Sequence, residues 1–592
     1  MAYTLVESQD RLGEVANAVD RSDAVGLDIE TTALKPWDGE IRLMSVKTPT
    51  THHVVDLFKT GHPEVLVRAL GDPKTKTVKV IQNAKFEQRW FLHKYGIAGE
   101  LWPVFDTYRA SALIYNGKNL GHNLYDIRSR ELTVQAGEDL GGSNWSGALT
   151  KQQLDYSADD TEYLLPLRAG LKEKLSKYGL NRVALIEFGA VLPEASIENN
   201  GFYLDKEMWL ALYEDNRKKE RELRAQLVSE LPHPRGQLGL PGMAPVGFNI
   251  GSTQQLQASL ALLGIKLKST DKSELAMLIP KIRKPALRET IKRLIEYKKV
   301  LKLCDSFGPD YLSNIDPKTG RIHSSFYPFT GAGRYSSSSP NLQQLPRLKE
   351  FRACFRAVLG YVLGIWDYSQ IELRIAAEIS GDARMLYAYK TGLDLHILTA
   401  ALLNDIDVAA VTKAMRQPAK AGNFGLLYGM GAERLAVYAQ ANYGVDMDED
   451  QADEFIAKFF NGYSGLKSWH RKVFSDNNKR RGYTRTLSGR IRYMKPNDHS
   501  AWANTPVQGT GADGLKVALR LTYEALRPHE KKALMVNMVH DEIVVEAKDG
   551  DPEFQKQVDW DVKQCMVKGM QQFLPTVPVV VEGGWGASWA EK

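Results

Sequence analysis

Cysteine is scarce: Cys304, Cys354 and Cys565 are scattered along 592 residues. Three thiols so spaced exclude a disulfide framework and a structural zinc site, and they suit a reducing cytoplasm. No apolar run approaches membrane-spanning length, and the opening "MAYTLVESQDRLGEV" has no apolar core of signal-peptide length, so a membrane partner is not expected. There is no internal repeat, and the run "SSSS" is too short for a linker. An excess of one charge is also missing. The 77 Lys and Arg against 71 Asp and Glu leave +6, compatible with a polyanionic partner but too small to identify one. What remains is an ordinary globular composition, 43% hydrophobic and 25% charged, in a chain long enough for several cores.

Residues Ala24 to Glu30 and Val78 to Gln82 read as strands, with helical periodicity from Ala110 to Tyr115 and from Leu154 to Lys177. That alternation predicts an α/β domain ending near residue 185. From Glu187 to Leu303 the pattern is mostly helical, interrupted by the Pro- and Gly-rich loop "LPHPRGQLGLPGMAPVG". In "LRETIKRLIEYKKVLKL", Leu287, Ile291, Leu294, Ile295 and Leu301 share an inner face. Its outer cations, Lys292, Arg293, Lys298, Lys299 and Lys302, fit a solvated surface or a phosphate backbone equally well. After "TGAGRYSSSSPNLQQLP" strands and helices alternate to the end.

Three stretches carry carboxylates in patterns that suit chemistry. In "AVGLDIETT", Asp28 and Glu30 stand two apart on a strand, so both point to one face while Leu27 and Ile29 point to the other. Such a pair either lies in solvent or shares a divalent cation. "MVNMVHDEIVVEA" sets Asp541 and Glu542 at the tip of a hairpin, as a plain turn or as a rigid acidic site. In "LGIWDYSQIELRIAA", Asp367 ends a strand, and Ser369 with Glu372 satisfies a capping box. A fourth stretch, "RQPAKAGNFGLLYGM", repeats Arg416, Lys420, Phe424 and Tyr428 every four residues along one helical stripe. Two cations followed by two rings suit a triphosphate followed by a base. Pro418 predicts a position in the first helical turn, with Arg416 near the cap.

The downstream "NAKFE" and "YSADD" add Glu87, Tyr156 and Asp160. With Asp28 and Glu30 these resemble the three motifs of DnaQ-like 3′–5′ proofreading domains, except that the second motif usually ends in Asp. "DYSQIELR", "RQPAKAGNFGLLYG" and "VHDE" resemble motifs A, B and C of family A DNA polymerases, in order. "TGAGRYSSSSPNLQQLP", "NTPVQGTGAD" and the closing "VPVVVEGGWGASWAEK" match further signatures of that family. The resemblance implies an RNase H-like α/β exonuclease domain over residues 1–185, then an α+β right hand. Its thumb spans 186–329, its palm 330–380 and 496–592, and its fingers 381–495. The N-terminal 5′-nuclease of bacterial DNA polymerase I and a thioredoxin-recruiting thumb insertion are not recognised, which suggests a phage-type replication enzyme.

By that resemblance Asp367 and Asp541 hold two Mg²⁺ ions, with Glu542 auxiliary. Asp28, Glu30, Glu87 and Asp160 hold two more beside Tyr156, and Mn²⁺ can substitute. Arg416, Lys420 and His396 face the triphosphate, with Lys420 able to protonate the leaving group. Phe424, Tyr428 and Gln370 lie at the incoming nucleotide, and Glu372 excludes a ribose 2′-hydroxyl. Arg334, Gln343, Asn504, Gln508 and His540 contact primer–template DNA, whereas Ser500 stands where the family often has a cation. The implied partners are primer–template and deoxynucleoside triphosphates, acted on by a cytoplasmic monomer. The longer Glu87 leaves open an impaired exonuclease; a single-subunit RNA polymerase and a silent DNA-binding protein are the rival classes. "GTGADG", Gly509 to Gly514, fits G-x-G-x-x-G but follows no strand, and Leu515 stands where a P-loop has lysine.

Overall fold

Six short strands build the first sheet: β1 (Thr4–Val6), β2 (Ala24–Thr31), β3 (Ile41–Lys47), β4 (His52–Asp56), β5 (Val78–Ile81) and β6 (Val104–Asp106). Their order is β1-β4-β3-β2-β5-β6, so β2 is interior, antiparallel to β3 and parallel to β5. Val25, Leu27 and Ile29 fill the core on one side. The computed structural model describes residues 2–71, 74–134, 139–234 and 248–591; most of the Pro- and Gly-rich loop, 235–247, lies outside them.

Helices α1 (Lys85–Tyr95), α2 (Thr107–Ile114) and α3 (Lys151–Glu162) pack around this sheet, and α4 (Leu164–Lys177) follows α3 directly. The single helical stretch expected from Leu154 to Lys177 is therefore two helices, meeting at Tyr163. Pro166 is the cause, because it has no N–H to offer the Glu162 carbonyl and its ring crowds that oxygen. Helix α5 (Asn181–Asn200) runs through position 185 and is buried without a break from Glu187 to Ala195, its glutamates included.

Two long helices, α6 (Lys206–Glu230) and α7 (Pro285–Ser306), pack side by side. In α7 Ile291 and Leu294 are fully buried, while Lys292, Lys299 and Lys302 are exposed, as periodicity requires. The second sheet is wholly antiparallel: β7 (Tyr361–Tyr368), β8 (Ala533–Val539), β9 (Glu542–Lys548) and β10 (Val581–Gly586), in the order β8-β9-β7-β10. Between β7 and Tyr483 the described residues form only helices, not the alternation expected. Those used below are α8 (Ile371–Ser380), α9 (Leu395–Asn404) and α10 (Lys413–Leu427). Helices α11 (His499–Leu526) and α12 (Pro552–Gln571) then pack together behind the sheet. "GTGADG" lies within α11, where a Cβ on Gly509 would sit 2.8 Å from the Ala332 carbonyl oxygen, so its glycines serve packing. No helix among the described residues is long and apolar enough to cross a membrane.

Ions join the two sheets. Arg109 of α2 donates to Glu194 of α5 at 3.0 Å and to the Glu187 carbonyl at 2.9 Å. Glu187 also pairs with Arg490 and takes Lys516 Nζ of α11 at 2.5 Å, while Arg490 Nε donates to Asp513 at 3.0 Å. Tyr335 Oη closes the set on Glu194 at 2.6 Å. All six charged groups are buried, which is tolerable only because each faces an opposite charge. Burial would raise the Glu187 carboxyl, yet Lys516, Arg490 and Arg109 hold it down at about 2. Arg490→Ala leaves Asp513 and Glu187 short of a cation and should cost about 3–5 kcal/mol, read from the urea unfolding midpoint. A loss under about 1 kcal/mol would mean that relaxation or water supplies the missing charge.

Candidate active sites

The strand expected to carry two acids sits in the middle of its sheet, and α3 covers the face they share. Asp28, Glu30 and Asp160 present oxygens within 4.8 Å of one another. The solvent-facing alternative for β2 therefore fails. Burial, then the charge of Asp160, raises the Asp28 carboxyl well above its ordinary range; burial and the neighbouring acids push Glu30 up to about 10. Asp160 rises to about 7, mainly by burial. Glu87, in the first turn of α1, stands outside the trio but is 2% exposed, and Asp28 adds to the rise that burial imposes on it. Its Oε2 has no hydrogen-bond partner among the described residues. Four crowded acids, all offering oxygen and one with a buried unpaired oxygen, are a donor set that fits a hard divalent cation.

These acids and Tyr156 line a cleft of ≈ 930 Å³, one wall of which, Ser325–Pro328, comes from the carboxy-terminal half. Tyr156 lies one turn before Asp160 and its phenol is raised by burial and by that carboxylate. Sequence reading missed Asp139, whose charge adds to the rise of Glu30 and Asp160; no motif marks it.

The second acidic site lies on the second sheet. Val539 pairs with Glu542 across a two-residue turn, leaving Asp541 at its tip, and His540 enters the turn with φ 55°. Asp367, next to last in β7, pairs with Glu542 on one side and Glu582 on the other. Asp541 is pushed up to about 6, first by burial and then by the charge of Asp367. Two aspartates from strands far apart in the chain thus share one field, as two acids poised for cations do. Glu542 is tied back: its Oε1 accepts from Trp589 Nε1 at 2.5 Å, and Arg352 approaches Oε2 at 3.5 Å. Gln343, expected to contact DNA, also braces this turn. Its Nε2 donates to the Met538 carbonyl at 2.5 Å, and its Oε1 accepts from His540 N at 3.2 Å. His540 falls to about 4, mainly by burial, with Arg334 and Arg347 adding to the fall.

Helix α10 presents Arg416, Lys420 and Phe424 half-exposed, with Tyr428 at its C-cap, while Ala419, Asn423, Leu426 and Leu427 are buried. The stripe is as expected but its start is not. Thr412 caps the helix, so Arg416 and Pro418 fall at its fourth and sixth positions, and Pro418 leaves the Ala414 carbonyl without its helical donor. Arg416 pairs with Asp394 at 2.6 Å, Lys420 Nζ lies 5.9 Å from the Tyr443 ring centre, and the His396 ring lies 5.6 Å from that of Phe424, tilted by 46°.

The capping box expected of Ser369 and Glu372 does not form. Gln370 takes the cap position with φ 52° and no side-chain cap bond, and it accepts from Tyr389 Oη at 3.3 Å. Glu372 is thereby released to join Arg334 and the Tyr428 hydroxyl. Gln508 of α11 also reaches Tyr428, and the nearby Asn504 keeps a buried Oδ1 without a hydrogen-bond partner among the described residues.

Comparison with known proteins agrees with both halves. The family described as "3'-5' exonuclease" matches residues 3–176, and the one described as "DNA polymerase family A" matches residues 239–591. A DNA polymerase I of Aquifex aeolicus is 30% identical over the whole of both chains. One of Pseudomonas aeruginosa is 29% identical over the whole of this chain and 66% of its own length. The thermostable DNA polymerase I of Thermus thermophilus is 31% identical over 67% of this chain, which spans 46% of that relative. A solved structure, the "POL domain of Pol1 from M. smegmatis complex with DNA primer-template and dNTP", superposes with a TM-score of 0.81 over 99% of each chain, at 25% identity. With a family match over more than half its length and a full-length relative at 30% identity, the chain belongs to DNA polymerase family A and carries a 3′–5′ exonuclease domain ahead of the polymerase.

Proposed function

We propose that the chain extends a primer 3′ end on a DNA template with deoxynucleoside triphosphates, and removes mispaired ends at its own exonuclease site. The observation that carries this reading is Asp541 at its hairpin tip, brought beside Asp367 of β7 by the pairing of Asp367 with Glu542. In this reading residues 1–185 are the exonuclease, 186–329 the thumb, 330–380 and 496–592 the palm, and 381–495 the fingers.

Asp367 and Asp541 would hold divalent ions at the polymerase, and Asp28, Glu30, Glu87 and Asp160 at the exonuclease; we take these as Mg²⁺, two per site. When bound, such ions lower the pKa of an attacking hydroxyl or water and neutralise phosphate charge. The remaining work belongs to the protein. Arg416 exchanges Asp394 for the triphosphate, and Lys420 stands near enough to charge the same phosphates and to protonate departing pyrophosphate. Phe424 packs on the incoming sugar. Glu372, held by Arg334 and Tyr428, occupies the volume a ribose 2′-hydroxyl needs. The primer oxygen attacks the α-phosphorus as the bond to pyrophosphate breaks, so rigid placement matters more than side-chain reactivity. Asn504, Gln508 and His540 line the primer–template side.

One gel assay on matched and mismatched 3′ ends tests both sites. Asp541→Ala should stop extension while DNA binding persists, and visible extension by it would remove that residue from the chemistry. Asp28→Ala should stop 3′ degradation yet leave extension intact; if the wild type itself degrades no 3′ ends, Glu87 fails as a ligand. Chelating the divalent ions should silence both activities, with Mn²⁺ restoring them. For Glu372→Ala, opening a hydroxyl-sized space should raise the rNTP:dNTP ratio of kcat/KM by roughly 10–200-fold. An unchanged ratio would show that the sugar is selected elsewhere.

A further inference from the structure

Asn423 lies within the stripe-bearing helix but points the other way, into the core, at 2% exposure. Its amide is engaged at both ends. Oδ1 accepts from the Thr399 hydroxyl at 2.9 Å, and Nδ2 lies 2.8 Å from Nδ1 of His396. Thr399 is itself held: Tyr463 Oη is 2.7 Å away, and the Leu395 carbonyl lies at the same distance. A leucine would fill this helix–helix seam without any polar group to satisfy, so a buried Thr–Asn–His chain is an expensive way to pack two helices.

We propose that Asn423 is a positioning residue for the polymerase reaction, holding His396 in the neutral tautomer whose Nε2 carries the proton and is presented to the phosphates of the incoming nucleotide. The proton inventory leads there. Thr399 has one hydroxyl proton; Leu395 already has its helical donor, and Tyr463 can donate its own proton to Thr399, so the Thr399 proton goes to Asn423 Oδ1. The amide then turns its NH₂ to His396, making Nδ1 the acceptor and leaving the ring proton on Nε2. Among the described residues none hydrogen-bonds Nε2, and the ring lies beside Arg416, Lys420 and Phe424.

The charges around the ring act the same way. Burial lowers His396 to about 4; Asp394 opposes the fall, while Arg416 and Lys420 add to it. A second proton is therefore disfavoured, and the histidine offers a directed N–H rather than a third cation. The role rests on the reading of His396 as a triphosphate-side residue, and the test separates the two.

Nitrogen-15 spectra of histidine-labelled protein, with the His396 signals assigned among twelve histidines by their loss in His396→Ala, should show Nε2 protonated and Nδ1 bare. Asn423→Leu, or the milder Thr399→Val, should release the ring into a mixture of tautomers. Loss of one oriented hydrogen bond should raise KM for the nucleotide roughly five- to tenfold, with kcat little changed. In a His396→Ala background the same Asn423→Leu change should add less than about twofold. An Nδ1-protonated wild type overturns the proposal, as does an equal Asn423→Leu effect with and without His396. If His396→Ala by itself leaves KM unchanged while the tautomer is as stated, the triphosphate reading of His396 falls, and the role of Asn423 falls with it.

Discussion

Buried charge of both signs, balanced across one seam, is the constraint on which the rest of this molecule depends. Arg109, Arg490 and Lys516 face Glu187, Glu194 and Asp513 with almost no solvent between them. The seam reaches both sites. At one end Arg109 lies 3.4 Å from Asp106, whose carboxylate accepts the backbone N–H groups of Asn83 and Ala84 just ahead of Glu87. At the other, Lys516 Nζ donates to the Gly333 carbonyl at 2.8 Å, next to the Arg334 that grips Glu372. One electrostatic unit therefore sets the backbone entering each constellation. A misplaced member would leave an unpaired charge in low dielectric, which makes the geometry stiff.

Both sites solve the same problem in the same way. Each brings carboxylates together on a sheet and buries them, so that the charged form of at least one acid is disfavoured. At the first site β2 supplies two acids through its period of two, and α3 and α1 deliver the others. At the second, a strand and a hairpin tip from opposite ends of the second half supply one aspartate each. Sheets suit this work because ladder hydrogen bonds fix the Cα positions and leave the acids little freedom except in their rotamers. Only a cation or a proton relieves the repulsion, so the sites are poised to take up metal.

Much of the site was legible because spacing carries geometry. The pairing of Asp28 with Glu30, the stripe from Arg416 to Tyr428 and the hairpin tip at Asp541 all follow from local periodicity and turn chemistry. The failures are equally local in origin. Ser369 and Glu372 satisfy a capping pattern, yet Gln370 in the left-handed region displaced it, since Arg334 and Tyr428 offered Glu372 stronger partners than a helix end does. Pro418 suggested a helix start, but the Thr412 cap and the packing of the preceding turn outweighed one lost hydrogen bond. Asn423 looks like an ordinary polar residue in the chain and Gln343 only like a DNA contact, and their distant partners alone reveal a tautomer lock and a brace.

By itself the sequence determined which residues could act: an acid pair on a strand, two cations and two rings on one helical face, an acidic turn, and the order in which they occur. These depend on interactions within a few residues, where backbone periods are the same in any fold. Tertiary structure alone decided which of them meet. The approach of Asp541 to Asp367, the release of Glu372 from its helix end and the charged seam linking the two sheets each join residues more than thirty positions apart. No local period encodes such meetings, because they are settled by how whole elements pack.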